Sequence, residues 1–162
     1  MAEIVPIRED LILGWRAACD AVAAERIYLG RVTLPPFDPA NPYPRRHIAR
    51  DWPNYVAVDG DTVVGWADIT PVDIPECAHR GTLGMGVLAS HRGQGIGTRL
   101  LQACLAHASR AGMSKVELTV YTSNTAAIGL YRRSGFTDIG VVRDYRRLDG
   151  VTYDALLMER FL

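Results

Sequence analysis

No stretch of this chain approaches the roughly 20 consecutive apolar residues of a membrane-crossing helix. The start, Met1 to Arg8, has neither the basic opening nor the long apolar segment of a secretory signal, so none is expected. Cysteine is scarce. Cys19, Cys77 and Cys104 are odd in number and scattered, which argues against a disulfide framework and for free thiols in a cytoplasmic protein. Net charge is missing too: 18 Lys and Arg balance 18 Asp and Glu. A dedicated nucleic-acid binder would carry a basic excess, so neither a nucleic-acid nor a membrane partner is expected, although a local basic patch stays open. Repeats, low-complexity tracts and linkers are absent. What remains is an ordinary globular balance, 48% hydrophobic and 22% charged over 162 residues, which fits one domain spanning 1–162.

Element signals follow from pattern. Glu3 to Arg8 reads as a strand, and Asp10 as the cap of a helix running to about Leu29. Five prolines between Leu34 and Pro44 exclude regular helix there. That segment is either a stiff surface connection or, given Phe37 and Tyr43, the rim of a substrate pocket. Tyr55–Val58 and Thr62–Ile69 read as strands joined by a hairpin at Asp59-Gly60-Asp61. Further strands are expected at Thr82–Leu88 and Val116–Tyr121, with helices at Thr98–Ala111 and Asn124–Arg133. Ile139–Leu148 and Val151–Phe161 flank Asp149-Gly150, a second hairpin. The sum is a mixed α/β sheet with helices on both faces.

The most informative stretch is Arg92-Gly93-Gln94-Gly95-Ile96-Gly97, between a strand-like and a helix-like run. Such a turn exposes backbone N–H groups, and the helix start adds unpaired donors and partial positive charge. It is either a flexible surface turn or a site for phosphate or pyrophosphate, and the strand-to-helix setting favours the anion. A Walker run is absent. Gly84-Met85-Gly86-Val87-Leu88-Ala89 fits a loose dinucleotide fingerprint, but no helix follows directly and Cys104 lies where an acid is needed.

Arg92-x-x-Gly95-x-Gly97 resembles the acyl-coenzyme A loop of the GCN5-related N-acetyltransferase (GNAT) family. Asn124-x-x-Ala127-x-x-x-Tyr131-x-x-x-Gly135-Phe136 is similar to that family's second signature, in the same order along the chain. The resemblance covers at least Thr82 to Phe136. It implies a mostly antiparallel sheet with splayed central strands, and acetyl-CoA as co-substrate with no metal. Backbone groups of Arg92, Gly93, Gln94, Gly95, Ile96, Gly97 and Thr98 would hold the pyrophosphate. The strand residues Met85, Gly86, Val87 and Leu88 would pair with the pantetheine arm as an added strand. A backbone N–H from Val87 or a neighbour would polarise the thioester carbonyl. Tyr131 matches the family's general acid toward the departing sulfur; without the motif it reads as a buried core aromatic. Asn124 matches a contact to the arm or an ordered water, and can also cap its helix.

Where many relatives carry a Glu base, this sequence has Thr82. Asp68, Asp73, Glu76 and His79 are the nearby candidates, and a neutral amine needs none. Cys77-x-His79 has too few ligands for a metal site, and as a nucleophilic pair it lacks a visible partner. Arg132, Arg133, Arg143, Arg146 and Arg147 either meet the 3′-phosphate or pair with acids on the exposed sheet. The resemblance thus implies acetyl transfer to a primary amine of a small molecule or amino-acid-like acceptor. A peptide or protein N-terminus is the second acceptor class. A non-catalytic acyl-CoA sensor and a nucleotide binder are the competing classes. The C-terminal hairpin offers a surface for a homodimer.

Overall fold

A computed structural model describes all 162 residues. One seven-stranded sheet has the order β1-β2-β3-β4-β5-β7-β6. β1 (Glu3–Pro6), β2 (Asn54–Asp59), β3 (Thr62–Pro71) and β4 (Arg80–Val87) form an antiparallel half. β5 (Lys115–Tyr121), β7 (Val151–Phe161) and β6 (Thr137–Leu148) form a second antiparallel half. The halves meet at the sheet's single parallel pair, β4 with β5, because the helix α3 (Ile96–Arg110) crosses over between them.

That junction is short. Arg80, Gly81 and Thr82 pair with Lys115, Val116 and Glu117, and pairing stops there. At the closed end, Arg80 reaches both oxygens of Glu117 at 2.8 and 2.9 Å, and Lys115 reaches Glu159 at 2.6 Å. Gly81 makes close packing possible: a Cβ there would lie 2.4 Å from Ile69 Cγ2. Beyond Thr82 the two strands diverge into an open notch.

α3 buries Leu100, Leu101, Cys104, Leu105 and Ala108 on one sheet face, as its 3.6-residue spacing dictates. α4 (Thr125–Arg133) adds Ile128 and Tyr131 to that core. On the opposite face α1 (Ile12–Ala24) packs Trp15, Ala18, Cys19 and Val22 against Val56, Val63 and Trp66. No helix is long and apolar enough to cross a membrane.

Three sequence expectations change here. The first helix ends at Ala24, not near Leu29, because Arg26 adopts φ 68°, a left-handed geometry no helix continues through. Asp10 sits inside a short 3-10 turn, Glu9–Leu11, rather than capping the helix. The proline-rich stretch also yields to a helix sooner than expected. α2 spans Tyr43–Arg50, with Pro42 at its cap position and Pro44 in the first turn, where a missing N–H costs nothing.

Candidate active site

The notch is built from three elements that converge at its mouth. A Cβ on Gly97 would lie 3.3 Å from Leu130 of α4 and 3.5 Å from Met85 of β4. The start of α3, the middle of α4 and the free part of β4 therefore touch. The turn before α3 places Gly93 at φ 74° and Gly95 at φ 76°, conformations that a side chain would strain, and nothing lies within 4 Å of either Cβ position. The amides from Gly93 to Thr98 thus form an open cradle at a helix N-terminus, suited to an anion, while the Arg92 N–H turns back to the Ala89 carbonyl at 3.5 Å.

The Arg92 side chain is not free for an anion. Its guanidinium donates to Glu25 at 2.8 and 2.6 Å and to the Val87 carbonyl at 2.9 Å, and it lies over the Tyr28 ring at 4.6 Å. It ties the cradle to the loop after α1, with its charge already neutralised. The basic cluster disperses likewise. Arg132 pairs with Asp138 and Arg147 with Asp144, while Arg146 lies against Tyr121 and Tyr153. Arg133 stands apart, lining a groove of about 830 Å³ beside Thr98, Gln102, Leu130 and Ser134.

From Leu83 to Val87, β4 has no strand partner on its β5 side, so alternate main-chain groups along this stretch face the notch as an open strand edge, with the Val87 carbonyl taken by Arg92. Gly86 lies under Trp66; a Cβ there would come 2.3 Å from the indole. Tyr131 is 8% exposed, with its ring edge-on to Phe136 at 5.9 Å. Burial pushes its phenol up to about 12, so it is protonated at neutral pH. Asn124 caps α4: its Oδ1 accepts from the Ala127 N–H at 3.2 Å, leaving the amide NH₂ for another partner.

A polar group that sequence reasoning only grazed lies across the sheet, on the α1 and α2 face. Asn54, Asp68 and Gly84 stand in one row across β2, β3 and β4. Asp68 is 6% exposed and accepts one hydrogen bond, from the Tyr43 hydroxyl at 2.9 Å. That hydroxyl also meets Thr70 Oγ1 at 2.7 Å, and Thr70 meets His47 Nε2 at 3.0 Å. Burial raises the Asp68 carboxyl to about 7, against the smaller opposing pull of the Tyr43 hydrogen bond. Burial likewise lowers His47 to about 4. The other base candidates lie elsewhere. Asp73, Glu76 and His79 sit in the β3–β4 connection at the closed end, and Asp73 pairs with Arg46. Tyr43 was expected only as a pocket-rim aromatic, and His47 was missed because the prolines masked α2.

A sheet parted along its one parallel pair, with an amide cradle at the mouth of the gap, is a fold suited to a long anionic thioester. The chain belongs to the acetyltransferase (GNAT) family, whose model matches residues 22–136. It is 39% identical over 116 residues to the N-alpha-acetyltransferase RimI of Mycobacterium tuberculosis, covering 71% of this chain and 70% of that protein. An uncharacterized Mycobacterium leprae protein is 37% identical over 129 residues, 76% of this chain; the chain spans only 34% of that protein's length. The fold matches the crystal structure of a phosphinothricin acetyltransferase from Sinorhizobium meliloti in complex with acetyl-CoA. The TM-score is 0.89 at 19% identity, over 99% of this chain and 88% of that one. The protein is an acetyl-CoA-dependent N-acetyltransferase.

Proposed function

We propose that the acceptor is a primary amine on a small or amino-acid-like molecule, attacking the thioester directly, with acetyl-CoA lying in the notch. One observation carries this reading: β4 and β5 stop pairing at Thr82 and Glu117, leaving a free strand edge that leads to an open amide cradle. In this reading the amides from Gly93 to Thr98 hold the pyrophosphate, and the edge from Met85 to Leu88 holds the amide-bearing arm. The NH₂ of Asn124 is free to meet the arm or a water. All 162 residues serve as one acetyltransferase domain, without a metal.

Tyr131 stands over the sulfur in this assignment. Its role follows from matching two acidities. A thiol ionises near 8.5, so full proton transfer from a phenol at about 12 is uphill by ~5 kcal/mol. Tyr131 therefore acts mainly by donating a hydrogen bond to the sulfur as negative charge builds there, with the proton following as the C–S bond breaks. The presence of this phenol argues against a binding-only sensor.

A small acceptor is favoured by the strap closing the site. Arg26, after α1, pairs with Asp149 at the β6–β7 turn at 2.7 and 2.9 Å, and Arg146 donates to the Arg26 carbonyl at 2.9 Å. The likeness to RimI favours a second reading, in which a slender peptide N-terminus enters the same opening. Exposed Ile139, Val141, Val142 and Val151 on the hairpin suit a homodimer.

The test is Tyr131→Phe, read by calorimetry with acetyl-CoA and by turnover with a primary amine. Acetyl-CoA affinity is expected to change less than about threefold, while kcat falls roughly 10- to 100-fold. Unchanged kcat removes Tyr131 from the chemistry. Failure of the wild-type chain to bind acetyl-CoA removes the reading itself.

A further inference from the structure

The carboxylate of Asp68 has an uncommon setting. Charged groups at this depth normally meet a cation, yet its single hydrogen-bond partner is a neutral hydroxyl. The groups around it come from every packed element. Tyr43 and His47 face it from α2 and Cys19 from α1, while Cys104 of α3 lies behind the sheet against the Ala67 carbonyl. None of these is cationic at neutral pH: burial holds His47 neutral and keeps both thiols protonated, and Arg46, the α2 cation near Tyr43 and His47, is paired with Asp73 at 3.0 Å. Three more polar atoms nearby are buried with no partner at all. They are Asn54 Oδ1 and Nδ2, from the residue opposite Asp68, and Trp15 Nε1, whose ring stacks on Tyr43 at 5.9 Å. Such orphaned donors and acceptors are costly, and their convergence marks a place where a polar ligand belongs.

The approach to this place is over Gly84. That residue is exposed and directly opposite Asp68, and a Cβ there would stand 3.7 Å from Asp68 Oδ2. The same glycine lies on the unpaired part of β4. One bare residue thus separates the carboxylate from the strand edge along which the donor is assigned to lie.

We propose that Asp68 receives the acceptor's ammonium group and takes its proton, acting as the base of the transfer from the strand next to the donor edge. This rests on the reading that acetyl-CoA occupies the notch. The acceptor enters as R–NH₃⁺. One N–H bond breaks as an O–H bond forms on Asp68 Oδ2. The freed nitrogen lone pair forms the C–N bond to the acetyl carbon, and the C–S bond breaks with its electron pair going to sulfur. As the C–S bond breaks, Tyr131 gives its proton to sulfur; the second N–H bond of the now cationic nitrogen breaks and its proton passes to solvent, solvent reprotonates Tyr131, and Asp68 returns its own proton to solvent. Tyr43 is a positioning residue: its hydroxyl holds Oδ1, leaving Oδ2 without a partner beside Gly84. The acceptor class is an amine that arrives charged, with an apolar body for Trp15, Phe37 and Tyr43.

The experiment uses the full chain, acetyl-CoA and 2-phenylethylamine as probe, following thiol release from pH 5 to 10. Wild-type kcat/KM for the amine should show an inflection near 7. Asp68→Asn should lose roughly 100-fold or more at pH 7 and recover toward wild type near pH 10, where the amine is already neutral. A merely structural role gives a defect that does not shrink with pH. Tyr43→Phe should move the inflection to higher pH, since the hydrogen bond it removes favours the charged carboxylate. Gly84→Val should raise KM for the amine while leaving acetyl-CoA affinity, by calorimetry, within about threefold. A pH-independent Asp68→Asn defect, unimpaired turnover in that variant, or no wild-type acceleration with acetyl-CoA bound overturns the proposal. Absence of acetyl-CoA binding in the wild-type chain instead overturns the notch reading beneath it.

Discussion

Two buried residues set opposing demands on the fold. Asp68 holds its proton more tightly folded than unfolded, with its pKa raised from 3.8 to about 7. Its contribution to stability is therefore full below 3.8 and is lost as pH rises through about 7. His47 is lowered from 6.5 to about 4, so its contribution is full above 6.5 and is lost as pH falls through about 4. Between pH 4 and 6.5 the slopes cancel. Asp68→Asn removes one and uncovers the other. Urea denaturation of that variant is expected to lose about 1.4 kcal/mol per pH unit between 6.5 and 4, where the wild-type chain stays nearly flat. Parallel curves for the two proteins would show that Asp68 keeps an ordinary pKa. At this scale the sequence was half legible. Asp68 was one of four candidate bases, because strand alternation cannot say which polar residue meets a helix from a distant segment. Only the register of β2, β3 and β4, together with α2, singles it out.

Elements with strong local chemistry were readable, and those shaped by tertiary contacts less so. Asp59-Gly60 and Asp149-Gly150 turn where their left-handed preferences put them, with φ 59° at Gly60, 53° at Asp149 and 72° at Gly150. α3 and α4 lie close to their apolar periodicity. α2 escaped because its prolines, read as breakers, sit where a helix tolerates them, and its four arginine and histidine side chains gave no apolar stripe. The strap was equally invisible, since Arg26 and Asp149 are joined only by the folded sheet. Its place gives a further expectation. Asp149→Asn should leave acetyl-CoA affinity within about twofold and raise KM for the acceptor several-fold, because loosening the strap frees a loop that must then be ordered on binding. Steady-state kinetics checks it. An effect confined to acetyl-CoA would place the strap on the donor side.

On the scale of the whole molecule, the chain is two antiparallel half-sheets hinged along three residue pairs. The closed end is pinned by Arg80, Glu117, Lys115 and Glu159, and by the close packing at Gly81. The open end is held apart by the side chains of α3 and α4 that fill the core beneath it. A continuous parallel pairing would bury the β4 edge and remove the slot; in the proposed reading the parting makes an ordinary mixed sheet a receptor for an extended thioester. In the proposed reading the two faces divide the work, with the donor's phosphates at the start of α3 and the acceptor over Gly84 on the α1 and α2 side. The amide resonances of Gly93, Gly95, Gly97 and Leu83 to Val87 report this arrangement most directly, in a titration of isotope-labelled protein with acetyl-CoA. Saturable shifts concentrated in those two segments are the expected result. Saturable shifts that spare both segments would mean that the thioester binds elsewhere, and would contradict the account.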